Sequence, residues 1–211
     1  MHLYISEQIR KKYNFSNTFL VGAIMPDVKK LDGENKDKTH YIVERRKNRV
    51  ISRLPEVDDY INESKDEQNK ELRYGYIAHL IQDNIWFKDF TPKFGEEIGI
   101  NSDNKELYVY LKEEKKYIRT EDEFIEKVYG DYTIWNYKLK EQFGLLNFDE
   151  IQQIMIEKSK IGEKAKERIS QYLQNDNKQG DLFFINEGLM DQYFKKSIDE
   201  VSKKFDKMMK I

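Results

Sequence analysis

Apolar residues recur at spacings of three and four along most of this chain, and strictly alternating runs are few. His2, Ile5 and Ile9 share one face of a first helix expected over residues 2–13, and Asn14 to Asn17 form a polar break. A short apolar helix from about Thr18 to Ile24 should stop at Met25, because Pro26 disfavours helix in the residue before it. Asp27 then stands just beyond a buried helix end. Residues 28–38 read as a charged loop turning at Gly33, and Thr39 as the cap of a helix beginning at His40.

The strongest pattern spans residues 68–87. Tyr76, Ile77, Leu80, Ile81 and Ile85 make two adjoining sides apolar, as a central, mostly buried helix requires. Leu72, Gly75, His79, Asp83 and Trp86 run along a third line. Gly75, one turn before His79, would leave room there for something bulky, and Trp86 reads as core packing.

Beyond residue 90 the pattern weakens. Thr91 to Lys105 look irregular, and LYVYLKEEKKYIR (107–119) fits either a short hairpin or a helical piece. Thr120-x-x-Glu123 is a capping box opening a helix to about Phe143. Amphipathic helices near 148–158 and 161–174, a turn at NDNKQGD and a closing helix over 186–209 complete the reading. With three prolines, no repeat and no linker, the expectation is an all-α, single-domain helical bundle over 1–211.

Charge narrows the function classes. The 37 basic and 39 acidic residues nearly cancel, which argues against a dedicated binder of duplex nucleic acid. Without cysteine, neither a disulfide nor a thiolate–metal site can form. The start, MHLYISEQIR, has no apolar signal core, and FLVGAIM is too short to span a bilayer. The expectation is a soluble, cytoplasmic protein without a transmembrane segment, its oligomeric state left open.

The chemistry lies in three histidines, His2, His40 and His79. His79 and Asp83 form an H-x-x-x-D pair one helical turn apart, Asp27 closes GAIMPD, and His40 sits in T-H-Y. Imidazole with carboxylate suits zinc, iron or manganese. Taken alone, His79 with Asp83 reads nearly as well as an intrahelical hydrogen bond, and His2 as a core histidine. Taken together, the group points to a metal-dependent hydrolase.

The order of a histidine near the start, F-L-V-G-A-I-M-P-D, T-H-Y and G-Y-I-A-H-L-I-Q-D-N resembles the zinc-dependent phospholipase C family, and more distantly the single-strand-specific zinc nucleases of the same all-α fold. The resemblance is most specific over residues 1–90. It implies one metal site from Asp27, His40, His79 and Asp83, with Asp83 bridging to a second metal that also takes His2. It also implies Asp27 as the group that orients or deprotonates the attacking water, alongside Asp83 at the catalytic centre. In that family the terminal amine and carbonyl help hold the second metal; here Met1 directly precedes His2, which demands a different geometry.

The family's third zinc needs two later histidines and a glutamate, and no histidine follows His79. Asp131, Tyr132 and Asn136 lie where those ligands would fall, but tyrosine and asparagine replace imidazole and carboxylate poorly, and Asp131 with Asn136 reads better as a capping or supporting pair. One or two zinc ions are therefore expected. The implied reaction is hydrolysis of a phospholipid or small phosphate ester, as a phosphodiesterase or phosphatase. Lys29 and Lys30 are candidate contacts to an anionic substrate, though solvated loop lysines fit as well. The alternatives are a catalytically reduced metal-binding helical protein and a nucleotide phosphohydrolase of the HD type. The second lacks its adjacent His-Asp pair.

Overall fold

The structure is a computed structural model that describes residues 1–47, 50–93, 97–100, 107–111, 116–118, 121–143, 148–159, 167 and 181–210. Helix α1 (His2–Tyr13) ends where Asn14 enters the left-handed region at φ 54°. The Phe15 N–H then closes on the Arg10 carbonyl at 3.0 Å, and asparagine is one of the few residues that take this conformation cheaply.

Helix α2 (Asn17–Leu31) starts on a cap, the Ser16 hydroxyl accepting from the Thr18 N–H. It does not stop at Met25. It runs through Pro26, so Asp27 lies within the helix. Met25, Pro26 and Val28 are all buried, and that packing outweighs the local preference against helix before proline. Gly33, at φ 100°, makes the turn that follows.

The helix expected from His40 is also corrected. A single turn, α3 (Lys36–Thr39), capped by Asn35, precedes His40 and ends there. Tyr41 then adopts a left-handed φ of 52°, and the chain leaves as an antiparallel hairpin, β1 (Ile42–Lys47) and β2 (Val50–Pro55). Ile42, Val43, Val50 and Ile51 are β-branched, a composition that favours strand over helix. Helix α4 (Val57–Glu63) leads on to α5 (Lys70–Ile85). A π-helical turn (Trp86–Phe90) and a 3₁₀ turn (Thr91–Lys93) extend α5.

Between 91 and 105 the irregular excursion gives way to a strand, β3 (Glu97–Ile100). It pairs with β4 (Leu107–Leu111), which pairs with β5 (Lys116–Ile118), so 107–119 is the hairpin of the two alternatives. Helix α6 (Glu121–Phe143) follows; Thr120, the cap of the expected capping box, lies outside the described residues. Helices α7 (Phe148–Ser159) and α8 (Glu187–Met209) fall where periodicity put them. The helix expected over 161–174, save Glu167, and nearly all of the NDNKQGD turn lie outside the described residues.

Among the described residues the architecture is all-α with two small antiparallel sheets. α5 forms its axis, with Tyr76, Ile77, Leu80, Ile81 and Ile85 buried among Ile5, Phe19, Tyr193 and Phe205. Gly75 does not leave room for a ligand. A Cβ there would lie 2.0 Å from the Phe19 carbonyl oxygen, and one on Gly22 would lie 2.1 Å from that of Leu72. α2 and α5 thus meet backbone to backbone, which only glycine permits. Among the described residues no helix is long and apolar enough to cross a membrane.

Candidate metal centre

This contact sets the distance between the two helices that carry most of the polar cluster. From α2 comes Asp27, from α5 His79 and Asp83, from α1 His2, and from the end of α3 His40. The structure brings all five together. His79 Nε2 lies 3.5 Å and His40 Nε2 3.7 Å from Asp83 Oδ2. His2 Nε2 lies 3.3 Å from the other oxygen, Asp83 Oδ1. His40 Nε2 also lies 3.3 Å from Asp27 Oδ1. Asp83 therefore presents one oxygen to His79 and His40 and the other to His2. Two triads emerge, His2–His79–Asp83 and Asp27–His40–His79, each with donor atoms within 4.8 Å of one another.

Each imidazole is held from behind. His79 Nδ1–H donates to the Ala23 carbonyl at 2.8 Å. His2 Nδ1–H donates to Gln82 Oε1 at 3.0 Å, and Gln82 Nε2–H donates in turn to Ser6 Oγ at 3.1 Å. His40 Nδ1 meets Thr39 Oγ1 at 2.8 Å and the Lys36 carbonyl at 3.2 Å. With a carbonyl behind it, Nδ1 carries a proton, and Nε2 is the nitrogen each ring turns toward the carboxylates, where a cation would take its lone pair. The His2 and His79 rings stack at 4.1 Å, placing two such nitrogens side by side.

Burial makes this arrangement costly without a further group. His79 is fully buried, and its Nε2 has no hydrogen-bond partner. A buried polar atom left so costs about 1–3 kcal/mol. Burial pushes the His79 imidazolium down, but the Asp83 charge overrides it and holds the group up at about 9. Burial also raises the Asp83 carboxyl, yet His79 and His2 bring it well below the usual carboxylate range. Partial desolvation by its neighbours raises Asp27, and His40, 3.3 Å away, with the charges of His79 and His2 brings it below that range. His2 is lowered, by burial first and His79 second. Two ionised carboxylates and three nitrogens, one of them the orphaned His79 Nε2, converge, and a divalent cation fits that donor set.

The remaining candidates are engaged by other groups. Asp131 accepts backbone N–H bonds from Phe183, Phe184 and Ile185 at 2.7, 2.7 and 2.8 Å. Asn136 Oδ1 accepts from the Met1 amine at 2.8 Å, and Tyr132 Oη from Trp86 Nε1 at 2.8 Å. Burial lowers that amine to about 5, against the opposing charge of Asp27. The Met1 carbonyl accepts from Tyr4 and Ile5, opening α1. Lys29 lies over the Tyr76 ring at 5.5 Å. Sequence reading missed Gln82, Ser6 and Thr39. For Gln82 a signal existed: a glutamine placed between His79 and Asp83 in a helix otherwise apolar on that side.

Fold and donor set together define an all-α protein with a candidate metal site of nitrogen and oxygen donors. The chain belongs to the zinc-dependent phospholipase C family, whose model matches residues 1–203. That family is one of zinc-dependent hydrolases. No curated protein and no solved structure matches the chain.

Proposed function

We propose that the chain hydrolyses phosphate esters at this centre, with a phospholipid as the first substrate to consider. In this reading His2, Asp27, His40, His79 and Asp83 hold one or two zinc ions. The observation that carries it is Asp83, whose two oxygens face the two halves of one histidine cluster around an orphaned His79 nitrogen. Iron or manganese would accept the same donors, and family membership favours zinc.

A divalent cation in this donor set supplies Lewis acidity toward phosphoryl oxygen and acidifies a bound water. The protein groups do the rest. His79 is shared between the triads, and Asp83, a member of one, also lies 3.7 Å from His40 of the other, so its charge reaches both. Asp27, whose side chain is 49% exposed, stands at the open side of the cluster. Its Oδ1 is engaged by His40, leaving Oδ2 to orient the attacking water and take its proton. Ala23, Gln82 and Thr39 keep each ring from turning, so the donors need little rearrangement.

The test is elemental analysis of protein purified without added metal, followed by turnover of phosphatidylcholine, bis(para-nitrophenyl) phosphate and para-nitrophenyl phosphate before and after chelation. Bound zinc with chelator-sensitive cleavage of a diester supports a phosphodiesterase, and of the monoester alone a phosphatase. Bound zinc without turnover of any of the three would leave a metal-stabilised helical protein and overturn the enzymatic reading.

A further inference from the structure

Four of the five cluster residues stand on helices of 12 to 16 residues, and His40 does not. It closes α3, a single turn of four residues, too short to hold itself together by its own hydrogen bonds. Tyr41 follows at a φ of 52°, a left-handed conformation that a bulky side chain takes only where its surroundings impose it. Thr39 and His40 are both buried, so water does not support the turn either.

Three tyrosines hold it instead. The buried Tyr76 hydroxyl donates to the Thr39 carbonyl, and Thr39 Oγ1 meets His40 Nδ1 at 2.8 Å. Burial pushes the Tyr76 phenol well above its ordinary range, so it keeps the proton it donates. The Tyr60 ring stacks on that of Tyr76 at 4.1 Å with the planes 12° apart, and the Tyr41 ring meets Tyr60 edge-on at 5.2 Å. The Tyr41 hydroxyl donates to Glu63 at 2.7 Å. Tyr76 stands three residues before His79 on α5, about 4.5 Å along its axis. One helix thus carries a histidine of the cluster and the anchor of the turn that delivers a second, and the His40 and His79 rings lie 5.2 Å apart.

We infer that Tyr76 is a positioning residue for His40: its hydroxyl, acting through the Thr39 carbonyl and braced by Tyr60 and Tyr41, fixes the turn that aims the imidazole at the cluster. The consequence for metal rests on the metal-centre reading, whereas the placement of His40 is measurable without metal. His40 belongs to the triad of Asp27 and His79, and the second triad is made by His2, His79 and Asp83. Losing the Tyr76 hydroxyl therefore weakens one ion selectively, while a general loss of stability would weaken both.

The experiment is Tyr76→Phe, which removes the hydroxyl and keeps the stacked ring. Tyr13→Phe, which loses a hydroxyl bonded to Ser202 and Asp206, is the control for a missing tyrosine hydroxyl elsewhere. The chain has three histidines, so imidazole nitrogen spectra of the metal-free protein resolve each ring, with His40 assigned by its absence from His40→Gln. In Tyr76→Phe the His40 resonances should shift and broaden while those of His2 and His79 stay. Glu63→Ala releases Tyr41 from an exposed position, where folding is not at stake, and should move the same resonances by less. Competitive chelator titration with zinc should show one ion held about 10-fold more weakly in Tyr76→Phe and the other unchanged. Tyr13→Phe should alter neither readout. His40 resonances that stay put in Tyr76→Phe would overturn the inference, as would equal changes at all three rings or equal weakening of both ions. A native chain that takes up no zinc would count against the metal reading alone, and the spectra would still decide the positioning.

Discussion

Replacing Gly75 by alanine adds one methyl group where the backbone of α2 already sits. The new Cβ would lie 2.0 Å from the Phe19 oxygen, 2.7 Å from the Ala23 nitrogen and 2.8 Å from the Gly22 Cα. All three are main-chain atoms, so no side chain can rotate away. Restoring ordinary contact near 3.4 Å requires the helices to part by about an ångström or more. Overpacking of this kind costs about 1–3 kcal/mol and occasionally more, and alanine's better helix propensity returns up to about 1 kcal/mol. With the obstruction entirely backbone the cost falls at the upper end, and a net loss of about 2 kcal/mol is expected. In a chain of 211 residues that is roughly a 6 °C fall in Tm.

The same separation would break the 2.8 Å bond from His79 Nδ1 to the Ala23 carbonyl and draw Asp27 away from His79, so metal content should fall too. The control is Gly130→Ala in α6, where a Cβ meets nothing within 4 Å. There alanine should stabilise by about 0.5–1 kcal/mol. Thermal unfolding of metal-free protein, with elemental analysis of the loaded form, measures both effects. A Gly75→Ala protein as stable and as metal-rich as the native chain would refute the backbone contact and the geometry built on it.

His79→Ala should abolish metal binding at both triads, since His79 belongs to each, and retention of full stoichiometric metal would contradict the site. Gln82→Leu removes the acceptor behind His2 and should weaken one ion by about 10–100-fold while sparing the other, as read by competitive chelator titration. For the metal-free protein, His79 raised to about 9 adds stability that is complete below its ordinary value of 6.5 and is lost as pH rises through 9, up to about 3 kcal/mol. The depressed Asp27 and Asp83 add stability present above the usual carboxylate range and lost in acid, and neutral His2 adds stability lost as pH falls below 6.5. A Tm scan should therefore peak near pH 6–7 and decline toward pH 9, whereas zinc, which must displace the His79 proton, should bind more tightly over that interval. Asp131→Ala leaves three N–H groups without their acceptor and should cost on the order of 3 kcal/mol in urea unfolding.

Helices α1 and α8, which bury one face, and α5, which is buried nearly all round, were legible because their apolar pattern follows from the burial itself. The five polar residues were legible as types and order, since histidine is scarce in a chain crowded with acids and bases. What failed was local. Pro26 signals a stop to its neighbours, but burial on both sides of it decided otherwise. Arg45 to Lys47 hid the strand alternation of the hairpin, whose register depends on pairing across the chain. Gly75 showed that something comes close but not what. Only the matching Gly22 on another helix identifies it, and sequence does not align the two. The supports behind the imidazoles were hardest, because a backbone carbonyl such as that of Ala23 carries no residue signature.

The Asp131 carboxylate gathers the chain again at Phe183, Phe184 and Ile185, just before α8 begins. That tie fixes the first turn of α8 to α6, and α8 in turn lies along α5, where the Tyr193 hydroxyl reaches the Gln82 carbonyl at 3.5 Å. One carboxylate outside the histidine cluster therefore steadies the helix that backs the glutamine holding His2.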